Sequence, residues 1–554
     1  SFAYRTSKMT ARVFQLPPFK KRNNVPKIGI YWPGSWIYGG AEIWIRTMGI
    51  AFQKKGYPTF IFGKSSAEID NGFLNTIKAA LPFEFSSRLK GKCNIALTSY
   101  TVPMDFPKNL INLQHGVVLF PVVRKTKCYH VAVSRWLTEQ HPDFPWTVIT
   151  NGIDLSRLSV KRQRDEIRAE WGIPSDRTVV GYFGRVTDDD RKRVSKIAEV
   201  TKLMQEEVIP VFVGYTDPRT KAKILDINPQ AKIFPQTEDC GSVLHAFDLL
   251  LQVSKSEGAG LSLMEAMAVG TPVLSTPVGV VDELNAKFGR VIPTIPIDFS
   301  LQECSDKIRE ILFSRDEDMV CRAKDGIIGY YNIDRVADKW IDYFNAIHKE
   351  AISFDEPYEI KDPLISVILV IDKPIEGFTL KAIWESLKDQ TIPNWELILV
   401  CATSDEHTRE AVYQLQQDAV LYKKNLRCFL RENLIEDNLP STYNYALKQT
   451  KGELVAILTP NITVEATWLA RMSSYLYANS TDIVGLNTSR LSRKILHAGC
   501  CYKRDRLLAN GGYTRPIIGS ELPVNLKLYS IKNLQERLLK KAPKEFQFKI
   551  GFNL

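Results

Sequence analysis

Ser256-Glu257-Gly258-Ala259-Gly260-Leu261-Ser262-Leu263-Met264-Glu265 is the stretch from which the rest of this chain can be read. The apolar run Phe247-Asp248-Leu249-Leu250-Leu251-Gln252-Val253 leads into it. Ala266-Met267-Ala268-Val269-Gly270 leads out, and a second apolar run, Pro272-Val273-Leu274, follows. That order spells strand, glycine-rich turn, short helix, glycine stop and strand. The turn offers bare backbone N–H groups at a helix N-terminus, a setting that favours a phosphate. Glu257 stands at the turn, within reach of a ligand hydroxyl. Glu265 stands in the helix, where it can accept hydrogen bonds from a ribose diol. Polar groups at both ends, with a diphosphate between, suit a sugar nucleotide. Spacing alone leaves a second reading open: an ordinary buried helix with two surface glutamates.

Upstream, residues from about Val25 to Ile153 alternate apolar strands with helical patterns. Lys27-Ile28-Gly29-Ile30-Tyr31 reads as a first strand, and Gly39-Gly40 opens an amphipathic helix through Ala41 to Lys55. Thr59-Phe60-Ile61-Phe62, Asn94-Ile95-Ala96-Leu97 and Leu110-Ile111-Asn112-Leu113 read as further strands. Such alternation predicts a parallel sheet covered on both faces. Asn151-Gly152-Ile153-Asp154 marks a turn and a boundary. A second α/β unit starts at Thr178-Val179-Val180-Gly181-Tyr182-Phe183, runs through Pro210-Val211-Phe212-Val213-Gly214 and the paired glutamates, and is closed by a helix from Asp334 to Glu350. Two such units facing each other make a cleft, with ligands at the carboxyl ends of the strands. Residues 351–362 lack periodicity and read as a linker. A third α/β domain begins at Leu364-Ile365-Ser366-Val367-Ile368-Leu369-Val370-Ile371. The expected division is an extension over 1–24, domains over 25–154 and 155–350, a linker over 351–362 and a domain over 363–554.

With 554 residues, 44% of them apolar, the chain has material for three or four cores. No apolar run approaches the roughly 18–20 residues of a spanning helix. Phe19-Lys20-Lys21-Arg22 breaks any signal-peptide pattern, and Ser1–Lys8 reads as a cloning remnant before a native start at Met9. The nine cysteines are scattered without a Cys-x-x-Cys, which suits reduced thiols in a cytosolic protein; Cys500-Cys501 is the one close pair. The seven histidines have no ligand spacing, so no zinc site is expected. A net charge of +11 admits an anionic membrane, a nucleic acid or polyanionic sugar substrates as partners. Its densest clusters are Lys20-Lys21-Arg22, Lys161-Arg162 with Arg164, and Arg191-Lys192-Arg193.

Three further segments carry chemistry. Gly39-Gly40-Ala41-Glu42, between a strand and a helix, permits a tight turn and close backbone approach to a ligand. Gly184-Arg185 follows a strand, and Lys192 comes seven residues later. Fixed cations there stabilise a departing diphosphate without a metal, arginine as a fork and lysine as a point charge. His115 ends the strand in Leu113-Gln114-His115-Gly116.

Taken together with Ser256–Glu265, these segments resemble glycosyltransferase family 4, the retaining GT-B enzymes. Val131-Ala132-Val133-Ser134 and Val148-Ile149-Thr150-Asn151-Gly152-Ile153-Asp154 resemble further landmarks of that family, with Thr150 in place of a proline. The likeness runs over about residues 26–350. Gly184-Arg185-Val186-Thr187-Asp188-Asp189-Asp190-Arg191-Lys192 resembles the family's Gly-Arg…Lys-Gly motif, with Arg193 where glycine is common. The resemblance implies an α/β fold of two facing, doubly wound Rossmann-like domains. It implies catalytic roles for Arg185, Lys192, Glu257 and His115. Gly39, Gly40, Gly258, Ala259, Gly260, Leu261 and Glu265 are implied to bind the donor, Glu257 through its sugar and Glu265 through its ribose.

The C-terminal stretch resembles glycosyltransferase family 2, a GT-A-like α/β fold, most clearly over Leu387–Val400. Two acidic landmarks are missing. Cys401-Ala402 replaces an acidic pair, and Thr459-Pro460-Asn461 stands where an Asp-x-Asp would hold a divalent metal. The domain is therefore expected to be non-catalytic and to dock an acceptor or another chain.

The expected activity is retaining transfer of a sugar from a nucleoside-diphosphate sugar to a hydroxyl of a glycan or lipid-linked glycan. It needs no metal or other cofactor, and it proceeds in the cytoplasm, with peripheral contact on the inner membrane face. Two rivals stand beside it. A sugar transferase acting on modified DNA bases would share the positive charge, but no nucleic-acid motif is present. A non-enzymatic scaffold of degenerate modules would not keep both glutamates, Arg185 and Lys192.

Overall fold

The computed structural model describes residues 25–531 except 35, 37–38, 65–68, 119–120, 315, 361–363, 423, 431–438, 461–462, 479–482, 488–494 and 510–527. The extension over 1–24, with its Lys20-Lys21-Arg22 cluster, and Asn461 lie outside the described residues. By contact the chain divides into two compact units. One holds residues up to Asp154 with Glu257–Ala259 and Ile333–Ile360; the other holds Leu155–Ser256, Gly260–Asn332 and the chain from Lys361 on.

The first unit is built on a parallel sheet in the order Phe83–Phe85, Thr59–Gly63, Ile28–Trp32, Ile95–Thr98, Asn109–Gln114, Tyr129–Ala132, Trp146–Val148. Its central strands, such as Ile28–Trp32 and Ile95–Thr98, are buried throughout, as in a sheet covered on both faces. The Gly40–Lys54 helix buries Trp44, Ile45, Met48 and Phe52. Onto it packs the Ile333–His348 helix, whose buried stripe is Val336, Ala337, Trp340, Tyr343, Phe344 and Ile347. Trp340 meets Trp44 at 5.7 Å and Phe344 meets Phe52 at 5.1 Å between ring centroids. The helix expected to close the second domain thus belongs to the first unit by contact. Residues 351–360 form no helix or strand, as read, but they are anchored. Phe354 lies 4.3 Å from the Tyr129 ring, and the Tyr358 N–H donates to Thr147 Oγ1 at 2.9 Å.

The second unit contains two sheets. The first is parallel, in the order Lys232–Phe234, Val208–Val213, Thr178–Phe183, Leu249–Gln252, Val273–Ser275. Two glycines let its strand ends approach. Gly214 has φ +150°, and a Cβ on it would sit 1.8 Å from the Gly184 carbonyl oxygen. The other sheet orders Asn425–Leu430, Trp395–Cys401, Ile365–Ile371, Leu454–Leu458, Ile495–Lys503, Ile483–Asn487, Leu528–Ile531. Its first four strands are parallel, and Ile495–Lys503 runs antiparallel to both of its neighbours. One carboxylate ties the amino ends of this sheet together. Glu396, fully buried, accepts from Ser366 Oγ at 2.6 Å, the Lys451 N–H at 2.7 Å and Arg427 Nη2 at 2.6 Å. Burial alone would raise its pKa; Ser366, Lys451 and Arg427 outweigh that and hold it below the usual range.

The two sheets of this unit are joined by helices. The Trp468–Ala478 helix packs on the Glu317–Tyr330 helix, with Gly329 against Ser474 and a hydrogen bond between the Tyr330 and Ser473 hydroxyls. Thr391 Oγ1 donates to the Lys287 carbonyl at 2.7 Å. Among the described residues no helix is long and apolar enough to cross a membrane.

Candidate functional site

The sequence-selected residues fall into two groups, one in each unit.

In the first unit the group gathers around His115. This residue follows the Asn109–Gln114 strand, and its ring meets Trp44 edge-on at 5.3 Å. It lines a small cavity with Tyr31, Trp32, Trp44, Thr98 and Ser99. Burial of the imidazole lowers its pKa to about 4, so the ring is neutral at physiological pH. A neutral imidazole offers one donor and one acceptor to a substrate rather than a charge. The Glu257–Ala259 turn is fastened beside it. A Cβ on Gly258 would sit 2.0 Å from the His115 carbonyl oxygen. The Gly258 carbonyl accepts from Ser134 Oγ at 2.7 Å, and the same hydroxyl caps the Arg135–Glu139 helix. Glu257 is 7% exposed. Gly39 is the extended N-cap of the Gly40–Lys54 helix, and its carbonyl accepts the first helical bond, from Ile43, at 2.9 Å.

In the second unit the group forms around the Leu261–Val269 helix. Gly260 is its N-cap at φ +83°, a conformation that favours glycine, and no side chain caps the first turn. That turn therefore presents N–H groups of the kind that bind anions. The Gly184-Arg185 loop lies next to it: a Cβ on Gly184 would stand 3.4 Å from Ser262 Oγ. Arg185 is exposed. The loop then closes on itself through the Lys192 N–H, which donates to Asp189 Oδ1 at 2.6 Å. The Lys255 N–H donates to the Arg191 carbonyl at 2.8 Å, tying loop and turn together.

Arg193, the departure from glycine, keeps a glycine-like backbone at φ 53°. Its side chain turns inward. Nε donates to the Val253 carbonyl at 2.6 Å, Nη1 to the Ile297 carbonyl at 2.7 Å, and the guanidinium lies 5.2 Å from the Phe299 ring. It is a strut of the loop rather than a free cation.

Glu265 is 9% exposed, so neither glutamate is the surface residue that the bland reading required. Its Oε1 lies 3.6 Å from Arg157 Nη1, and Arg157 Nη2 reaches Cys240 Sγ at 3.4 Å. Arg157 is thus a site residue that sequence reading missed. Its only signal was a cation three residues past the Asn151–Asp154 landmark, and the pairing joins distant parts of the chain. Gln252 was also missed. Its Nε2 is buried without a hydrogen-bond partner, 3.4 Å from where a Cβ on Gly260 would be.

In the third sheet domain Cys401 is buried, and burial raises its thiol pKa. Among the described residues no three His, Cys, Asp or Glu side chains gather as metal ligands.

Comparison with known proteins bears on these modules. Residues 163–324 match the family Glycosyl transferases group 1, and residues 376–498 match Glycosyl transferase family 2. Over 161 residues, 28% of this chain and 40% of the relative, the sequence is 30% identical to a putative teichuronic acid biosynthesis glycosyltransferase, TuaC, of Bacillus subtilis (strain 168). Over 266 residues, 44% of this chain and 60% of the relative, it is 28% identical to the D-inositol 3-phosphate glycosyltransferase of Saccharomonospora viridis. The chain therefore spans less than two thirds of the length of these relatives. A glycosyltransferase structure from Rickettsia africae ESF-5 superposes with a TM-score of 0.50 at 14% identity, covering 58% of this chain and 99% of that one. That likeness speaks for the fold: two Rossmann-like α/β domains of the GT-B kind, here followed by a GT-A-like sheet domain.

Proposed function

We propose that this chain, a group 1 glycosyltransferase module followed by a family 2 module, moves a sugar from a nucleoside-diphosphate sugar to a hydroxyl of a glycan or lipid-linked glycan, with retention and without a metal. The observation that carries the reading is the uncapped start of the Leu261–Val269 helix. The Gly184-Arg185 loop lies beside it, and Glu265 is held by Arg157. Helix N–H groups and fixed cations suit a diphosphate, and an oriented carboxylate suits a diol.

In this mechanism the bond from the anomeric carbon to the diphosphate oxygen breaks, and Arg185 and Lys192 neutralise the departing charge. The acceptor oxygen bonds the anomeric carbon from the same face and passes its proton to a phosphate oxygen. Glu257 orients the sugar, neutral His115 hydrogen-bonds near it, and Gly39, Gly40, Gly258, Ala259, Gly260 and Leu261 give the donor backbone to lie on.

By name one relative serves teichuronic acid biosynthesis, which supports a glycan acceptor, and the other is a D-inositol 3-phosphate glycosyltransferase. Exposed Val118 and Val122, followed by exposed Arg124, Lys125 and Lys127, support peripheral contact with an anionic membrane surface on the cytoplasmic side. Flotation with phosphatidylglycerol vesicles should be lost on charge reversal of those three cations.

The direct test is thermal shift with a panel of nucleotide sugars. A donor at a hundred times its Kd should add about 2.7 kcal/mol to the stability of the donor-binding part. A panel in which no nucleotide sugar raises the melting point would sink the reading. With a donor in hand, Arg185→Ala and Lys192→Ala should each lower turnover roughly 10²-fold, and EDTA should leave transfer intact.

A further inference from the structure

Sugar transfer by the group 1 module gives the third sheet domain no part, yet that domain packs on the donor-binding half, mainly against one helix. Glu317–Tyr330 touches the helix carrying Glu265 on one side. A Cβ on Gly270, the glycine stop of that helix, would meet Lys324 Cδ at 3.7 Å and Val320 Cγ1 at 3.9 Å. On its other side lies Trp468–Ala478. There Gly329 admits the partner helix so closely that a Cβ would lie 2.6 Å from Ser474 Cα. Arg471, 6% exposed, crosses the same junction to Asp318 at 3.1 Å and is backed by Glu465 at 3.5 Å. Asp318 is also gripped by Arg322 Nε at 2.9 Å, and Arg322 Nη1 donates to the Phe288 carbonyl at 2.7 Å. Close backbone approach and a charge cluster paired around the buried Arg471 mark a fixed junction, because sliding would strand that guanidinium without its carboxylates.

We propose that the third sheet domain is an internal clamp. It seats the Glu317–Tyr330 helix and through it the Leu261–Val269 helix, and so sets donor affinity without touching the donor. Arg471 is the positioning residue of this clamp. The inference rests on the assignment of Glu265 to the donor nucleotide.

The test uses the full chain with Gly329→Leu, which wedges the junction, and Arg471→Met, which removes its charge while leaving Asp318 to Arg322. UDP, GDP and ADP are titrated by calorimetry, and amide exchange is followed over residues 261–270. The clamp predicts faster exchange over 261–270 in both variants, with exchange over 109–114 unchanged. It also predicts a roughly tenfold weaker nucleotide, the size expected for coupled neighbours, and a smaller loss than that when Glu265→Ala is already present. Unchanged protection over 261–270, or a loss that adds to that of Glu265→Ala, overturns the clamp. Failure of the wild-type chain to bind any of the three nucleotides overturns the Glu265 assignment instead, and the exchange result then decides the clamp alone. If Gly329→Leu does not fold, Arg471→Met carries both measurements.

Discussion

At the scale of single residues, glycines and charges here do separable jobs. Gly258 has no room for a side chain, since a Cβ would stand 2.0 Å from the His115 carbonyl, whereas Gly116 has open space around it. Gly258→Ala should lower the melting point of the first unit, at a cost of about 1–3 kcal/mol for the forced shift. Gly116→Ala should leave it nearly unchanged. Equal melting points for the two variants would show that the turn yields freely. Glu265 makes a different demand. Glu265→Ala should weaken nucleoside-diphosphate binding by about 1–3 kcal/mol in a folded protein, read by calorimetry; an unchanged affinity would remove the ribose role. Both glutamates and the Gly184-Arg185 pair were legible because the turn and strand-end chemistry is local. Arg157 was not, because its pairing with Glu265 is made only when the two segments meet in the fold.

At the scale of elements, the parallel strands that were read lie within two residues of the observed ones, whereas Phe83–Phe85, Tyr129–Ala132, Trp146–Val148, Lys232–Phe234 and Asn425–Leu430 were not read as strands. Leu454–Leu458 is an unbroken apolar run, and Ile365–Ile371 is broken only by Ser366, as suits strands buried throughout. The loop before the Val194–Lys202 helix was harder. Arg193 looked like one more cation in a charged cluster, yet it is 8% exposed. Its positive φ costs about 1–2 kcal/mol relative to glycine, and burial opposes its charge. Against both stand its bonds to the buried Val253 carbonyl and the part-buried Ile297 carbonyl and its packing on Phe299, and losing the donor to a buried carbonyl costs about 1–3 kcal/mol by itself. Arg193→Gly should therefore destabilise the second unit although it restores the residue that the family favours, and a raised melting point would show that backbone strain dominates. The junction of Glu317–Tyr330 with Trp468–Ala478 was not legible at all. Small residues such as Gly329 and Ser474 carry no local signal that another helix will lie against them.

At the scale of the whole molecule, one half-buried and one buried carboxylate hold separate parts of the second unit. Asp248 lies under Arg164 and Arg168, and Glu396 lies under Ser366, Lys451 and Arg427. Burial opposes ionisation at both, and their partners outweigh it, so both pKa values are depressed. Stability from such groups is fully present above the unfolded carboxylate value, near 4, and drains away as pH falls through the folded value. Glu396→Gln should cost about 3 kcal/mol at neutral pH by leaving Arg427 without its carboxylate. The deficit against wild type should shrink below pH 4. A deficit constant from pH 7 to pH 3 in denaturant titrations would refute the charge argument. The return of Ile333–His348 to the first unit has a further outcome, felt while the chain is being made. The ribosome releases the Gly40–Lys54 helix long before Trp340 and Phe344 exist to cover Trp44 and Phe52. At ~5–20 residues per second the exposed face waits on the order of ten seconds or more. The nascent protein must pass that interval with an aromatic surface open to chaperones, and its first unit cannot finish folding until synthesis has passed the Ile333–His348 helix.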